Sequence, residues 1–276
     1  MKTIQAQGAE IPAIGFGTFE LEPEQALPMV EHALQAGYRH IDTAQIYGNE
    51  AAVGEAIDHA PLRREEVFLT TKVWVSAMRP GKMEASVEES LRALRTDHVD
   101  LLLLHWPNPK VDFEAMFKTL AALREQGLTR HIGVSNYPVD WLERAVAACP
   151  APLVTNQVEY HPFLTQKRVT AALEKHSMAL TAYSPLARGR VFQDPTLQRI
   201  GEKHGRNPGQ VALRWLLQQP GVSAIPRSSR EENASANIEV FDFELSDGEM
   251  AEISALGGPQ GRTIDPEGLA PEWDPE

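Results

Sequence analysis

From residue 13 to residue 226, short apolar runs alternate with amphipathic stretches, and this alternation constrains the fold more than any other feature. The runs occupy residues 13–16, 39–42, 67–72, 99–105, 131–135, 154–157, 179–183 and 222–226. Leu101 to Leu104 is apolar without a break, as expected of a strand buried on both faces. Between the runs lie helical patterns such as 23–36, 49–60, 81–94 and 113–126. Pro23 at a front edge, and Gly37 and Gly127 just behind, match helix start and stop signals. Strand–helix repetition implies parallel strands joined by right-handed crossovers. Eight such units fit 276 residues, so the expected fold is α/β, a single closed (β/α)8 TIM barrel rather than an open doubly wound sheet.

Additions flank the repeat. Residues 1–11 alternate around a turn at Gly8, predicting an N-terminal β-hairpin that plugs the barrel floor. Residues 197–219 hold two helical stretches divided at Asn207-Pro208, and 246–256 is a further helix with Ser246 as N-cap and Glu249 three residues on. From Gly257 onward Gly, Pro and acids dominate. The chain therefore reads as one domain over 1–276, with 257–276 as a C-terminal tail.

Charge is unevenly spread. The 38 acids and 26 bases give a net charge of −12, which argues against broad nucleic-acid or anionic-membrane binding. From Glu231 onward there are 13 acids and one base, Arg262, so residues 1–230 are neutral overall and free to handle an anion. An exposed tail would mainly aid solubility. A tail folded over the barrel mouth would instead put Glu272 and Asp274 where they disfavour anionic substrates. Cys149 is the single cysteine, which fits a reducing cytoplasm. No secretory h-region opens the sequence and no apolar run approaches the ~20 residues that span a bilayer. No long apolar stripe demands assembly, so a monomer is expected.

The chemistry is written in what ends each strand: Asp42, Lys72, His105, Ser135-Asn136, Gln157, Tyr183 and Arg227. In a (β/α)8 barrel these positions converge at the C-terminal mouth, where active sites lie. Alone, each has an ordinary structural reading; together they need one another as partners, because buried ionisable groups must be paired. Tyr47, five residues after Asp42, returns to the mouth through a tight loop. Its phenol, with an ordinary pKa of about 10, is expected to be lowered by Lys72, which Asp42 keeps charged. His105 would orient a substrate carbonyl. Such a site protonates a carbonyl oxygen while hydride arrives from elsewhere, and no side chain donates hydride, so a nicotinamide is required. Gly15-Phe16-Gly17-Thr18-Phe19-Glu20 lacks the third glycine of a dinucleotide fingerprint. Neither a metal-ligand spacing, a GxSxG elbow nor a P-loop is present, so no metal is expected.

The motifs GYRHIDTAQIYGNEAAVG (residues 37–54), TTKVW (70–74), LLHWP (103–107), IGVSNY (132–137), TNQVEYHP (155–162) and YSPLA (183–187) resemble the aldo-keto reductase superfamily. The resemblance implies a barrel that binds NADPH in extended form without a Rossmann domain. It implies a catalytic tetrad at Asp42, Tyr47, Lys72 and His105, with Tyr47 as general acid. It places the nicotinamide amide on Ser135, Asn136 and Gln157, its ring on Tyr183, and further cofactor contacts at Ser184 and Leu186. The 2′-phosphate end falls on IPRSSREENASAN (225–237), which implies contacts at Pro226, Arg227, Ser228, Ser229, Arg230, Asn233 and Asn237. Here Arg227 stands where many members have Lys, Asn233 stands where many have Arg, and Arg230 is expected to compensate.

Within the superfamily the chain looks most like the bacterial 2,5-diketo-D-gluconate reductases of the B type, which also reduce methylglyoxal. The short segment WPNPKVDFE (106–114) and the tail EGLAPEWD (267–274) carry this likeness. It implies an open pocket for small polar carbonyl compounds, shaped by Trp74 and Trp106. The alternative is a non-catalytic NADPH-binding module on the same barrel, against which the intact tetrad speaks.

Overall fold

The computed structural model describes residues 2–275. An antiparallel hairpin, β1 (Thr3–Ala6) and β2 (Ala9–Pro12), precedes the main sheet and pairs Ile4 with Ile11 and Ala6 with Ala9. Eight parallel strands follow in strict sequence order: β3 (Phe16–Gly17), β4 (His40–Asp42), β5 (Phe68–Val73), β6 (Val99–Leu104), β7 (Thr129–Ser135), β8 (Leu153–Glu159), β9 (Ala179–Tyr183) and β10 (Val222–Ala224). The sheet's two ends meet. Gly15 N donates to Ala224 O at 2.9 Å, Ala224 N to Ala13 O at 2.9 Å and Gly17 N to Pro226 O at 3.0 Å, closing the barrel.

Helices α1 (Pro23–Gln35), α2 (Glu50–His59), α3 (Lys82–Ala93), α4 (Phe113–Glu125), α5 (Val139–Ala148) and α6 (Lys167–Lys175) follow β3 to β8 in turn. Two helices, α7 (Pro195–His204) and α8 (Pro208–Leu217), separate β9 from β10; α9 (Glu231–Ile238) and α10 (Asp247–Ser254) come after it. The sequence signals hold where they are local. Ser246 and Glu249 exchange backbone–side-chain bonds of 2.8 and 3.3 Å at the start of α10, and Asn207 and Gln210 do the same at 2.9 and 3.1 Å on α8.

The unbroken run in β6 serves two cores. Leu102 and Leu104 face the helical layer, whereas Leu101 and Leu103 pack inside the barrel with Val154, Ala179 and the hairpin residues Ala6, Ala9 and Ile11. The hairpin thus closes the floor, as predicted. Interior space is tight enough that Gly133 in β7 admits no side chain: a Cβ there would lie 2.7 Å from Thr155 O. With the floor sealed, every polar strand end opens to one mouth. Among the described residues, no helix is long and apolar enough to cross a membrane.

Candidate active site

Asp42 ends β4, Lys72 lies one residue from the end of β5 and His105 follows β6, so three strands deliver three ionisable groups to the mouth. Tyr47 arrives on the single 3-10 turn Gln45–Tyr47 after β4. Lys72 is fully buried and spends its donors on Asp42 Oδ1 at 2.5 Å, Thr43 O at 2.9 Å and Tyr47 Oη at 3.3 Å. The second Asp42 oxygen accepts from Gln157 Nε2 at 2.7 Å. A buried ammonium is therefore locked between a carboxylate and a phenol, which is how a dry interior tolerates charge.

The electrostatics correct one expectation. Burial pushes the Tyr47 phenol above its ordinary pKa; the Lys72 ammonium pulls it down but does not outweigh desolvation. Tyr47 is therefore a neutral, protonated phenol. Burial alone disfavours a charged Lys72, yet Asp42 and Tyr47 hold its pKa above the ordinary value. His105 is held well below its ordinary pKa by burial and then by the Lys72 charge, so its imidazole is neutral. Its Nδ1 is buried without a hydrogen-bond partner. We assign the proton to Nε2, because an unpartnered lone pair costs less inside a protein than an unpartnered N–H. The ring stands 5.6 Å from that of Tyr47 and 5.2 Å from that of Trp74.

These groups open into a cleft of about 1000 Å³. Its walls include Asp42, Tyr47 and His105; the two tryptophans, Trp74 and Trp106; and, further along, Ser135, Asn136, Gln157, Tyr183, Ser184 and Leu186. Asn136, at φ +65, donates through Nδ2 to His105 O at 3.0 Å and accepts from Tyr183 Oη at 2.7 Å. Ser135 Oγ donates to Gln157 O at 2.8 Å. At the far end lie Arg227, Ser228, Ser229, Asn233 and Asn237. Arg227 is braced by bonds to Phe19 O at 3.2 Å and Glu20 O at 2.8 Å.

Two residues of the expected cofactor set are not on the wall. Pro226 contributes its carbonyl to barrel closure, and the Arg230 guanidinium turns to Glu232 at 3.8 Å. Arg230 meets Ser228 through its backbone, whose N–H donates to Ser228 Oγ at 2.9 Å and whose carbonyl accepts from it at 2.7 Å.

Other parts of the wall escaped the sequence reading. Phe19, Ile46 and Phe192 are large apolar side chains left exposed, and all three line the cleft. Glu20 and Arg188 pair at 3.0 Å from opposite loops. Gln45 accepts from Trp74 N at 2.9 Å and donates to Ser90 Oγ at 3.2 Å, tying the Tyr47 turn to the Trp74 wall and to α3.

The tail is the largest addition. Glu159, wholly buried at the end of β8, accepts from Thr263 N at 2.8 Å, Thr263 Oγ1 at 2.5 Å and Ile264 N at 3.0 Å, and from His161 Nε2 at 3.0 Å. Burial raises the Glu159 pKa and these bonds outweigh it, so the group is held below the ordinary carboxylate range. Thr263 to Pro266 and Leu269 consequently line the cleft. Further on, Trp273 packs on Trp106 at 6.2 Å and under the Arg262 guanidinium at 3.6 Å, and Asp274 accepts from Val139 N at 2.9 Å. The tail is a strap pinned at both ends against the mouth, not a free solubilising segment.

Comparison with known proteins agrees with this architecture. The model of the aldo/keto reductase family matches residues 13–257. The methylglyoxal reductase DkgB of Salmonella typhi is 43% identical over 267 residues, covering 96% of this chain and 99% of that protein. A crystal structure of a candidate 2,5-diketo-D-gluconic acid reductase B superposes with TM-score 0.98 at 49% identity, covering 100% of this chain and 98% of the other. A variant of Gox0644 in complex with NADPH superposes with TM-score 0.90 at 35% identity, covering 96% and 97%. The chain, a closed barrel with a buried Asp–Lys–Tyr cluster at its mouth, belongs to the aldo/keto reductase family of oxidoreductases.

Proposed function

We propose that the protein reduces small polar aldehydes and ketones with NADPH, methylglyoxal and 2,5-diketo-D-gluconate (to 2-keto-L-gulonate) being the substrates that its relatives suggest. The observation that carries this reading is the Lys72 ammonium locked between Asp42 and Tyr47 at the wall of an apolar-lined cleft.

The residues present fit the cofactor. Tyr183 offers a ring face, Ser135, Asn136 and Gln157 offer amide-binding groups, and braced Arg227 with Ser228 and Ser229 offers donors for a phosphate. When bound, a nicotinamide supplies hydride to the carbonyl carbon. The chain's own groups do the rest. His105 Nε2–H orients the carbonyl oxygen. Tyr47, protonated at rest, gives that oxygen its proton as negative charge develops, and the adjacent Lys72 ammonium stabilises the phenolate left behind. Asp42, held by Gln157, keeps Lys72 charged and in place. Carbonyl becomes alcohol, and NADPH becomes NADP+. The acting unit in this reading is one barrel domain, monomeric and cytoplasmic, with a small carbonyl compound as its partner.

The test is the loss of NADPH near-ultraviolet absorbance on adding methylglyoxal or 2,5-diketo-D-gluconate. Steady consumption with either supports the reading. NADPH binding without turnover of any carbonyl compound would assign the barrel to a binding module instead. Arg227→Ala is expected to weaken NADPH by about 10- to 100-fold, the worth of one charged hydrogen-bonded contact, and NADH far less. Fluorescence titration with both cofactors checks this; equal losses reject the 2′-phosphate assignment.

A further inference from the structure

Beside the cofactor cleft lies a second one, of about 510 Å³. It opens between the loop after β5, the loop after β6 and the strap. Three cations line it: Arg79, Lys82 at the first turn of α3, and Lys110. Among the described residues none of the three forms an ion pair, although Arg64, Arg95, Arg199 and Arg214 elsewhere all do. One acid, Glu272 of the strap, faces them without pairing. In a chain of net charge −12, this is a local excess of positive charge next to the mouth. A concave, partly apolar wall focuses such a field.

The cleft is built rather than incidental. Asn108 donates through Nδ2 to Val75 O at 2.9 Å and accepts from Lys110 N at 3.0 Å, fixing the loop that carries Lys110 to the loop that leads to Arg79. The two clefts also adjoin. Val75 and Pro107 line the smaller one and directly follow Trp74 and Trp106, which line the larger; Leu269 lines both.

We propose that this second cleft is an anion-binding annex of the active site, taking the carboxylate of an oxo-acid substrate whose carbonyl lies at Tyr47 and His105. The proposal rests on the reductase reading above and adds to it the residues that take the carboxylate of an oxo acid such as the 2,5-diketo-D-gluconate already named, with that carboxylate several bonds from the reacting carbonyl. Arg79 supplies paired donors for a carboxylate, and Lys82 and Lys110 supply point charges. The strap, through Leu269 and Glu272, forms the annex's outer wall. Glu272 counts against the anion, so its removal should strengthen capture.

The experiment compares two carbonyls in steady state at saturating NADPH. In Arg79→Gln/Lys110→Gln, which removes two charged contacts, the KM for 2,5-diketo-D-gluconate is expected to rise at least about tenfold, with kcat within about twofold. The KM for methylglyoxal, which has no carboxylate, and the melting temperature should stay unchanged. Glu272→Gln should lower the KM for the anionic substrate alone. Raising NaCl from about 0.05 to about 0.5 M should erase much of the wild-type preference. Equal KM changes for both substrates overturn the annex, as do no change in either and a wild type that reduces methylglyoxal but no oxo acid. Consumption of NADPH with neither carbonyl would instead sink the reductase reading. Calorimetric titration of 2-keto-L-gulonate keeps the annex testable in that event: binding lost in the double variant supports it, and no binding to the wild type overturns it.

Discussion

Tyr47→Phe is expected to bind NADPH as the wild type does and to lose turnover by about 100- to 10,000-fold, the usual worth of a positioned general acid. The substitution removes one oxygen. The ring itself is held by Phe19 at 5.1 Å and by His105 at 5.6 Å, and phenylalanine retains both contacts. Lys72 loses a partner at 3.3 Å but keeps Asp42 and Thr43, so the buried ammonium stays paired. Cofactor fluorescence titration and single-turnover reduction of methylglyoxal separate binding from chemistry. Near wild-type turnover by this variant would show that the proton comes from elsewhere, and the mechanism above would fall.

The second large effect concerns stability. Lys72→Met should cost about 3–5 kcal/mol, because it leaves the Asp42 carboxylate buried with Gln157 as its remaining side-chain partner. For a chain of this size the melting temperature should fall on the order of 10 °C. Adding Asp42→Asn removes the stranded charge and is expected to recover most of that loss, while turnover stays absent in both variants. Denaturant melts of the two single variants and the double variant form a cycle that isolates the pair. Additive losses would show that Lys72 and Asp42 do not depend on one another, contrary to their 2.5 Å contact.

Features set by neighbouring residues are legible in the sequence, and those set by remote partners are not. β6 was legible because a strand buried on both faces is rich in apolar residues, as Leu101 to Leu104 are; β5 and β8 are buried too but carry Thr70, Thr71, Asn156 and Gln157, and were legible from the spacing of the repeat. Strand boundaries moved by a few residues: the run at 154–157 became Leu153–Glu159, and that at 222–226 stopped at Ala224. Polar strand ends marked the mouth for the same reason, since nothing else breaks an apolar run so abruptly.

What was hidden depends on burial or on remote partners. Whether Lys72 or desolvation decides the Tyr47 proton cannot be seen without knowing how deep the ring sits. Arg227 and Arg230 look alike in sequence. One faces the cleft and the other faces Glu232 because they sit on different sides of the turn entering α9. The tail's motif was visible but its docking was not: its partner Glu159 is about a hundred residues away, and Gly–Pro–acid composition carries no periodicity to choose between a free tail and one folded on the mouth.

That strap has a consequence for the order of assembly. Translation runs from N- to C-terminus, so residues 262–274 leave the ribosome after all eight strands have been made. The bonds that close the barrel, between residues 13–17 and 224–226, are available earlier than those from Thr263 and Ile264 to Glu159. A nascent chain can therefore hold a closed barrel whose nucleotide groove still lacks one wall, with the Glu159 carboxylate open to water. Closure of the scaffold can thus precede completion of the groove, which waits for residues 262–274 and for their anchors on Glu159, Trp106 and Val139.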